Sequence, residues 1–193
     1  MTFFTEINLP IYTNLLDSLS TLIDTKIVAW YNNQICLNTT AQFPDNYRLG
    51  TGSLDKDWNN TSTIIENGIS KISVPNKENT LRETDFTTLC TQFNGTAFEQ
   101  VYKDITSKSK VGRIRIMMSS PKTCLSWHRD SSIRLHYPIK TQDGCFMVIN
   151  NEIKHIPLHT WYMADTTELH TAFNASRESR IHLVAAILDK NNE

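Results

Sequence analysis

Apolar residues recur at helical spacing in three stretches of the N-terminal half. Residues 11–23 carry one continuous stripe of leucine and isoleucine side chains. Residues 86–93 place their aromatic and apolar side chains on one face, and Gly95 ends that run. The third stretch opens with Thr96 and Glu99, which match the capping-box pattern of a helix N-terminus. The spacing therefore predicts three helices, each with one buried face.

From residue 111 onward, apolar and polar residues alternate with a period of two, which is typical of strands with one buried face. The runs that show it are 113–116, 133–137, 145–149, 152–156, 161–164 and 180–188. Residues 27–31 and 34–37 predict two earlier strands, joined by Asn32-Asn33, because asparagine tolerates the left-handed conformation of a tight turn. Asn150-Asn151 predicts a second hairpin for the same reason.

Helices come first and strands follow in a run, without the alternation of strand and helix that a parallel doubly wound sheet needs. We therefore expect a mainly β protein with N-terminal helices and a double-stranded β-helix core, the jelly-roll or cupin-like arrangement. The 193 residues fit a single domain, 1–193. Residues 1–110 would form a helical and loop-rich part packed on a core of residues 111–188. The loop-rich stretch 38–80 is long enough to hold short elements or to cover a site.

The charge balance limits the kinds of binding partner that can be expected. A net charge of −1 gives no electrostatic reason to expect binding to nucleic acid or to an anionic membrane. No apolar run approaches the ~20 residues that span a bilayer, and the first residues lack the pattern of a signal peptide. The four cysteines form no Cys-x-x-Cys pair and favour reduced thiols. We expect a cytoplasmic protein without a nucleic-acid or membrane partner.

The candidate chemistry lies in the β-rich half, since all six histidines fall there. His128 and Asp130 are two residues apart and share one face of an extended segment. His170 follows after enough chain to cross a small barrel and return. Two histidines and one carboxylate with open coordination positions form the facial triad of non-haem iron(II) oxygenases. We take His128, Asp130 and His170 as candidate metal ligands and catalytic centre. Taken singly, His128 and Asp130 are better explained by the polar face of a surface strand, and His170 by a hydrogen-bonded structural residue.

Two pairs of cationic and imidazole residues alternate with apolar neighbours. Arg134 and His136 share one strand face, and Arg180 and His182 repeat the pattern. If the apolar face packs outward, these side chains point into the barrel, where a buried arginine requires an anion. With the reverse orientation they lie in solvent. Arginine is suited to this role because its planar fork matches a carboxylate.

A second metal hypothesis uses His155, His159 and His170. It is disfavoured because a His-x-x-x-His pair binds zinc best on a helix, and Pro157 interrupts this one. We interpret His155 and His159 as structural residues.

Taken in order, His128-Arg129-Asp130, Arg134-Leu135-His136, His170 and Arg180-Ile181-His182 resemble the aspartyl/asparaginyl β-hydroxylase family. The resemblance covers residues 111–188. It implies a double-stranded β-helix and an Fe(II)- and 2-oxoglutarate-dependent dioxygenase. Such an enzyme uses O2 to hydroxylate an unactivated C–H of an amino-acid or peptidyl side chain, and it releases succinate and CO2.

The resemblance also implies roles for single residues. His128 and His170 match the metal-binding histidines of the family, and Arg180 matches the arginine that grips the distal carboxylate of 2-oxoglutarate. Arg134 and His136 match an Arg-x-His pair near the other end of this cosubstrate. Asp130 departs from the eukaryotic members, which have glycine there, and its carboxylate favours a full triad.

Two other functions remain open at this level. One is a non-catalytic, cupin-like protein that binds a metal or a carboxylate, and the complete triad argues against it. The other is a zinc hydrolase, which would have no use for Arg134 and Arg180 beside the metal. No motif specifies whether the substrate is a free amino acid, a peptide or a protein residue. Trp58, Trp127 and Trp161 are candidates for the walls of a substrate cleft.

Overall fold

A computed structural model describes residues 2–57, 60–78 and 80–189. Its helices are α1 (Leu15–Asp24) and α2 (Ala97–Lys108). Its strands in chain order are β1 (Phe4–Ile7), β2 (Gln34–Cys36), β3 (Asn38–Thr39), β4 (Ser62–Glu66), β5 (Ile69–Ser73), β6 (Thr88–Leu89), β7 (Val111–Ser119), β8 (Thr123–Cys124), β9 (Arg134–Lys140), β10 (Cys145–Ile149), β11 (Glu152–Lys154), β12 (Trp161–Ala164), β13 (His170–Asn174) and β14 (Arg180–Ile187).

Two antiparallel sheets form the core. The larger has the strand order β1-β12-β9-β14-β7-β2, and the smaller has the order β11-β10-β13-β8. Residues of both sheets line one cavity and one apolar cluster, so the sheets face each other. Two facing antiparallel sheets with helices outside are the jelly-roll arrangement of a double-stranded β-helix. The predicted fold class, mainly β with N-terminal helices, is confirmed.

The two helices cover the outer face of the larger sheet. Every second residue of β7, β9 and β14 points outward and is apolar, including Ile116, Tyr137 and Leu183. These side chains pack with Leu19 of α1 and Phe98 of α2 in one cluster whose members are almost fully buried. The period of two in the strands and the apolar stripes of the helices therefore meet in a single core.

The inner faces of the sheets divide into an apolar end and an open end. Phe4, Tyr162 and Ala164 of the larger sheet contact Met147 and Ala172 of the smaller sheet in a second apolar cluster. This cluster closes one end of the space between the sheets. Polar residues line the other end, where a cavity of about 1190 Å³ remains.

The N-terminal part contributes strands to the larger sheet as well as helices. β1 pairs with β12, with Phe4 opposite Ala164, and β2 pairs with β7, with Gln34 opposite Met117. The core sheet is therefore not confined to the predicted residues 111–188. Residues 38–80 hold the short strand β3 and a hairpin of β4 and β5, and Ser53–Lys56 line the cavity.

One predicted helix is wrong. Residues 86–93 form β6 and a 3₁₀ turn at Thr91–Phe93 instead of a helix. Phe86, Cys90 and Phe93 are fully buried, as the pattern required, but β6 pairs with β3. Four apolar residues are too few to distinguish a helix from buried irregular structure, because tertiary pairing decides such short runs.

The other local predictions mostly agree with the structure. α1 begins four residues into the predicted stretch 11–23, and α2 follows Thr96, whose hydroxyl accepts from the backbone N–H of Phe98 at 3.2 Å. Both predicted asparagine turns adopt positive φ, at Asn32, Asn33 and Asn150. Residues 27–31 are not a strand beyond a single bridge at Tyr31. None of the helices in the described part of the chain is long and apolar enough to span a membrane.

Candidate metal centre and ligand cavity

The three residues predicted as metal ligands lie together at the mouth of the cavity. His128 Nε2 is 3.9 Å from Asp130 Oδ1, and His170 Nε2 is 3.9 Å from Asp130 Oδ2. One ligand atom from each of the three residues falls within 4.8 Å of the others. Across residues 2–57, 60–78 and 80–189, this is the only group of three or more His, Cys, Asp or Glu placed to share an ion.

Backbone hydrogen bonds hold the cluster together. His128 N–H donates to the carbonyl of His170 at 3.0 Å, and His170 N–H donates back to that of His128 at 2.9 Å. This reciprocal pair brings the two imidazole centroids to 4.2 Å. Asp130 N–H donates to the carbonyl of Thr166 at 2.8 Å. The segment that carries His128 and Asp130 is thus fixed along the chain that leads into β13.

The imidazoles are oriented by their Nδ1 atoms. His128 Nδ1 lies 2.8 Å from the carbonyl of Ser126, and His170 Nδ1 lies 2.9 Å from the carbonyl of Glu168. A carbonyl oxygen only accepts hydrogen bonds, so each Nδ1 carries the proton and each Nε2 keeps its lone pair. Burial lowers the pKa of His170, which favours its neutral form. A backbone-oriented, neutral imidazole is the form that binds metal.

The carboxylate of Asp130 is held by Arg134. Arg134 Nε donates to Asp130 Oδ2 at 2.9 Å, and this leaves Oδ1 on the side of His128. Burial alone would raise the pKa of Asp130, but the charge and hydrogen bond of Arg134 outweigh it and lower the pKa. Asp130 is therefore ionised, as a metal ligand must be.

The donor set fits iron(II). The three candidate ligand atoms all lie within 4.8 Å of one another, so small side-chain movements would bring them onto one ion. Two neutral imidazole nitrogens and one carboxylate on one side of an ion form the 2-His-1-carboxylate triad, which leaves the other positions open. The open side faces the cavity, because all three residues line it.

The cavity is strongly cationic although the chain as a whole is nearly neutral. Seven lysine and arginine residues line it, against three aspartate and glutamate residues. The inward residues of β7, β9 and β14 alternate with the outward apolar ones, so the interior orientation of Arg134, His136 and Arg180 is the one observed. This excess of cations around the cavity favours anionic ligands.

Arg180 lies in this cavity without a carboxylate partner. Arg113, Arg129 and Arg134 pair with acidic side chains of the chain, whereas Arg180 forms an ion pair with none of the described residues. Burial lowers the pKa of Arg180, which reflects the cost of keeping its charge away from water. Its guanidinium is therefore available to a bound anion.

His136 lies near Arg180, and its neighbour on β14 is His182. The two rings are 5.8 Å apart by centroid and nearly perpendicular. Both nitrogens of each ring are buried without a hydrogen-bond partner among the described residues. Burial, with the charge of Arg180 second, lowers the pKa of His136 to about 3 and that of His182 well below its usual value. Both imidazoles are neutral, and their unpaired nitrogens await a polar ligand.

Three residues of the cavity were not identified as functional from the sequence. The strand alternation places His182 on the same face as Arg180, but it assigns His182 no role. Arg115 alternates with Ile114 and Ile116 in β7, and this alternation indicates that Arg115 lies on the face opposite to the apolar core. Glu83 comes from a 3₁₀ turn at Glu83–Asp85 in the N-terminal part, and no local pattern marks it.

The alternative zinc site is not assembled. His155 Nδ1 donates to the carbonyl of Cys145 at 2.8 Å, and His159 lies 3.4 Å from the hydroxyl of Tyr137. Neither histidine lines the cavity.

The tryptophans do not form walls of this cavity in the described part of the chain. Trp161 stacks at 4.4 Å on Tyr137 in the core, and Trp127 is exposed beside His128 without lining the cavity. Trp58 lies outside the described residues.

The fold is cupin-like, and its cavity carries a His-Asp-His cluster that could hold a metal ion. The profile of the aspartyl/asparaginyl β-hydroxylase family matches residues 77–189, which is more than half of the chain. The chain belongs to this family, and membership carries hydroxylase function in general terms. No curated protein matches the chain.

Three solved structures show a partial likeness. A cupin domain from Bordetella pertussis Tohama I aligns with 40% of this chain and 81% of its own at 15% identity and a TM-score of 0.35. AviO1 from Streptomyces viridochromogenes Tue57 aligns with 97% of this chain and 90% of its own at 12% identity and a TM-score of 0.47. An oxidoreductase of the 2OG-Fe(II) oxygenase family from Burkholderia pseudomallei aligns over 94% of both chains at 11% identity and a TM-score of 0.40. The assignment rests on the family match and the site geometry.

Proposed function

We propose that the protein is an Fe(II)- and 2-oxoglutarate-dependent dioxygenase. It would hydroxylate an unactivated C–H of an amino-acid or peptidyl side chain and release succinate and CO2. The observation that carries the proposal is the cluster of His128, Asp130 and His170 on a cavity that also holds Arg180, which pairs with no carboxylate of the described residues. The free thiols of the chain are compatible with the cytoplasm as its compartment.

The residues would divide the work as follows. His128, Asp130 and His170 would hold the iron, and iron with bound 2-oxoglutarate would supply the activation of O2. Arg180 would bind the distal carboxylate of 2-oxoglutarate through its planar fork. His136 would donate a hydrogen bond to the cosubstrate from a ring nitrogen that has no partner among the described residues. Arg134 keeps one nitrogen, Nη2, for the same ligand, since its Nε and Nη1 bind Asp130 and Glu83.

Arg115 supports a substrate that carries a carboxylate. Within the described part of the chain, its Nε is buried without a partner, and its Nη1 donates to Gln34 Oε1 alone, at 3.1 Å. On the paired strands β14 and β7, Ser119 lies opposite Arg180, and Arg115 is four residues further along, roughly 13 Å at the usual rise of a strand. A cosubstrate bound to Arg180 and the metal therefore leaves Arg115 for a second anion. The 1190 Å³ of the cavity exceeds the usual upper range of ~1,000 Å³ for a single small-ligand pocket.

Anaerobic reconstitution with Fe(II) and 2-oxoglutarate tests the proposal directly. A 2-oxo acid that chelates iron(II) gives a visible charge-transfer band, and we expect this band in the wild-type protein. It should disappear in His128→Ala and require more 2-oxoglutarate in Arg180→Met. A folded, iron-loaded protein without the band would contradict the assignment and favour a non-catalytic metal-binding protein.

The substrate class is tested by succinate formation in the presence of O2. The test compounds are free L-amino acids, their α-amides, and the α-amides of N-acetyl-aspartate and N-acetyl-glutamate. Their comparison distinguishes recognition of an α-carboxylate from recognition of a side-chain carboxylate. We expect stimulation by one of the carboxylate forms and a loss of at least about tenfold in kcat/KM when the same compound lacks its charge. Equal stimulation by charged and uncharged forms would rule out an anionic substrate.

A further inference from the structure

Glu83 is a largely buried carboxylate of the N-terminal part of the chain, and hydrogen bonds connect it to the candidate metal centre. Its side chain is 11% exposed, and it lies between two arginines of the larger sheet. Glu83 Oε1 accepts from Arg113 Nη2 at 2.9 Å and from Arg134 Nη1 at 3.1 Å. Glu83 Oε2 accepts from the backbone N–H of Arg113 at 2.8 Å and from its Nε at 3.2 Å. Four donors from two residues therefore fix this one carboxylate.

The hydrogen bonds continue from Glu83 to a candidate metal ligand. Arg134 is 5% exposed in its side chain, and it uses Nη1 for Glu83 and Nε for Asp130 Oδ2. Its guanidinium is therefore clamped between two carboxylates. Arg113 anchors the Glu83 end of this series of hydrogen bonds, because its Nη1 donates to the carbonyls of Gly50 and Gly52 at 2.8 Å each.

The backbone of β7 approaches Glu83 so closely that only glycine fits at position 112. A Cβ on Gly112 would lie 2.7 Å from both Cβ and Oε2 of Glu83. Contacts under 3.0 Å of this kind require one of the two segments to move. The position of Glu83 is thus set by shape as well as by charge.

We propose that Glu83 is a positioning residue for the metal centre, which acts on Asp130 through Arg134. The inference rests on the proposed role of Asp130 as a metal ligand. By holding Nη1 of Arg134, Glu83 directs Nε onto Asp130 Oδ2 and leaves Oδ1 free to face His128. Partners of metal ligands fix the ligand geometry, and their loss lowers metal affinity by about 10- to 100-fold. The N-terminal part of the chain would thereby contribute to a metal centre whose ligands all come from the β-rich half.

This role also changes what Arg134 does. The positive charge of Arg134 is already balanced by Asp130 and by Glu83, which Arg134 shares with Arg113, so Arg134 can offer a third anion mainly the N–H groups of Nη2. The anion-binding work of the cavity then falls to Arg180 and Arg115, and Arg134 serves mainly to orient Asp130.

A matched pair of variants separates positioning from stability. Glu83→Gln and Arg113→Met both break the buried Glu83–Arg113 pair, and both should lower the midpoint of urea unfolding. Only Glu83→Gln also removes the negative charge that holds Arg134 Nη1 and, through Arg134, orients Asp130. We expect the Kd for Mn(II), measured by electron paramagnetic resonance on the folded protein, to rise about 10- to 100-fold in Glu83→Gln and less than about threefold in Arg113→Met. The visible absorption of bound Co(II), which reports ligand geometry, should change only in Glu83→Gln.

Gly112→Ala provides a second route if Glu83→Gln does not fold. It leaves every charge in place and displaces Glu83 by steric contact alone, so Mn(II) affinity should again fall. Unchanged Mn(II) affinity in both Glu83→Gln and Gly112→Ala would overturn the proposal, as would an equal loss in Arg113→Met. If wild-type protein binds Mn(II) with this dependence on Glu83 but does not bind 2-oxoglutarate, the positioning role stands and the proposed function fails. If His128→Ala does not weaken Mn(II) binding, both fail.

Discussion

The two faces of the larger sheet are built from alternate residues of the same strands, yet their chemistry is opposite. On the outer face, Ile116, Tyr137 and Leu183 are fully buried against α1 and α2 in a continuous apolar cluster. On the inner face, one residue away along the same backbone, His182 is buried with unpaired nitrogens, and Arg180 has no carboxylate partner among the described residues. Burial of the apolar side chains on the outer face stabilises the folded state, whereas burial of the unpaired polar groups on the inner face destabilises it.

The difference separates the origin of stability from the origin of function. Apolar contacts on the outer face and in the cluster at the closed end favour the fold, and they offset the cost of an inner face that keeps polar groups without partners. Such a cost is retained where a ligand completes the missing interactions. Substitutions on the outer face should therefore act on the free energy of unfolding, and substitutions on the inner face should act on ligand binding.

The largest effect is expected at the metal ligands, which belong wholly to the binding side of this comparison. His128→Ala and Asp130→Ala should abolish measurable turnover and weaken Mn(II) binding by more than about 100-fold, since loss of a ligand exceeds the 10- to 100-fold cost of losing a ligand's partner. His128 is 41% exposed in its side chain, so its removal should change the free energy of unfolding by no more than about 0.5 kcal/mol. His159→Asn, outside the cavity, is the control. Turnover in either ligand variant would remove the triad from the mechanism.

The next effect belongs to the outer face. Leu183→Ala removes a fully buried side chain and should cost about 2–5 kcal/mol of unfolding free energy, measured by urea denaturation. The Kd for 2-oxoglutarate of the folded protein should stay within about twofold of wild type, because no ligand contact is lost. Leu158→Ala, at an exposed leucine, should change stability by no more than about 0.5 kcal/mol. A large change in cosubstrate affinity in Leu183→Ala would show that the two faces are not independent.

Arg180→Met tests the inner face from the opposite side. Loss of a charge-assisted pair worth about 1.5–3 kcal/mol should raise the Kd for 2-oxoglutarate roughly 10- to 100-fold. Stability should be unchanged or higher, because an uncompensated buried cation is replaced by an apolar side chain. Arg177→Met changes an exposed arginine on the same segment and should alter neither quantity. If Arg180→Met is less stable than wild type but binds 2-oxoglutarate with normal affinity, Arg180 has a structural role and not a ligand-binding role.

The smallest effect is a pH dependence that comes from the two inner-face imidazoles. The folded-state pKa of His136 is about 3 and that of His182 is also well below the ordinary value of 6.5, so the unfolded chain binds protons first as the pH falls. Stability should therefore decrease as the pH falls below about 6.5, by about 1 kcal/mol per histidine between pH 7 and 5.5. In His182→Asn this decrease should shrink by about that amount in metal-free urea titrations. An identical acid profile in wild type and His182→Asn would mean that the pKa of His182 is the same in the folded and unfolded states.

Local pattern was sufficient for much of the fold and for part of the site. The strand β10 was predicted with its observed bounds from the local sequence pattern, and α2 was predicted from its cap. The residues 86–93 were misassigned because β6 forms only through its pairing with β3, far away in sequence. β13 was missed, although it carries His170, since its buried residues do not alternate.

The sequence by itself determined which residues could take part in the chemistry. The alternation puts Arg134 and His136 on the same face of β9, and it puts Arg180 and His182 on the same face of β14. The pattern of His128, Asp130 and His170 indicates a facial triad. Only the tertiary structure decided which face is interior, that Arg134 is clamped by Glu83 and Asp130, and that Arg180 and Arg115 keep their charges free. The physical reason is that side-chain direction follows from the local backbone, whereas the compensation of a buried charge depends on groups brought close by long-range folding.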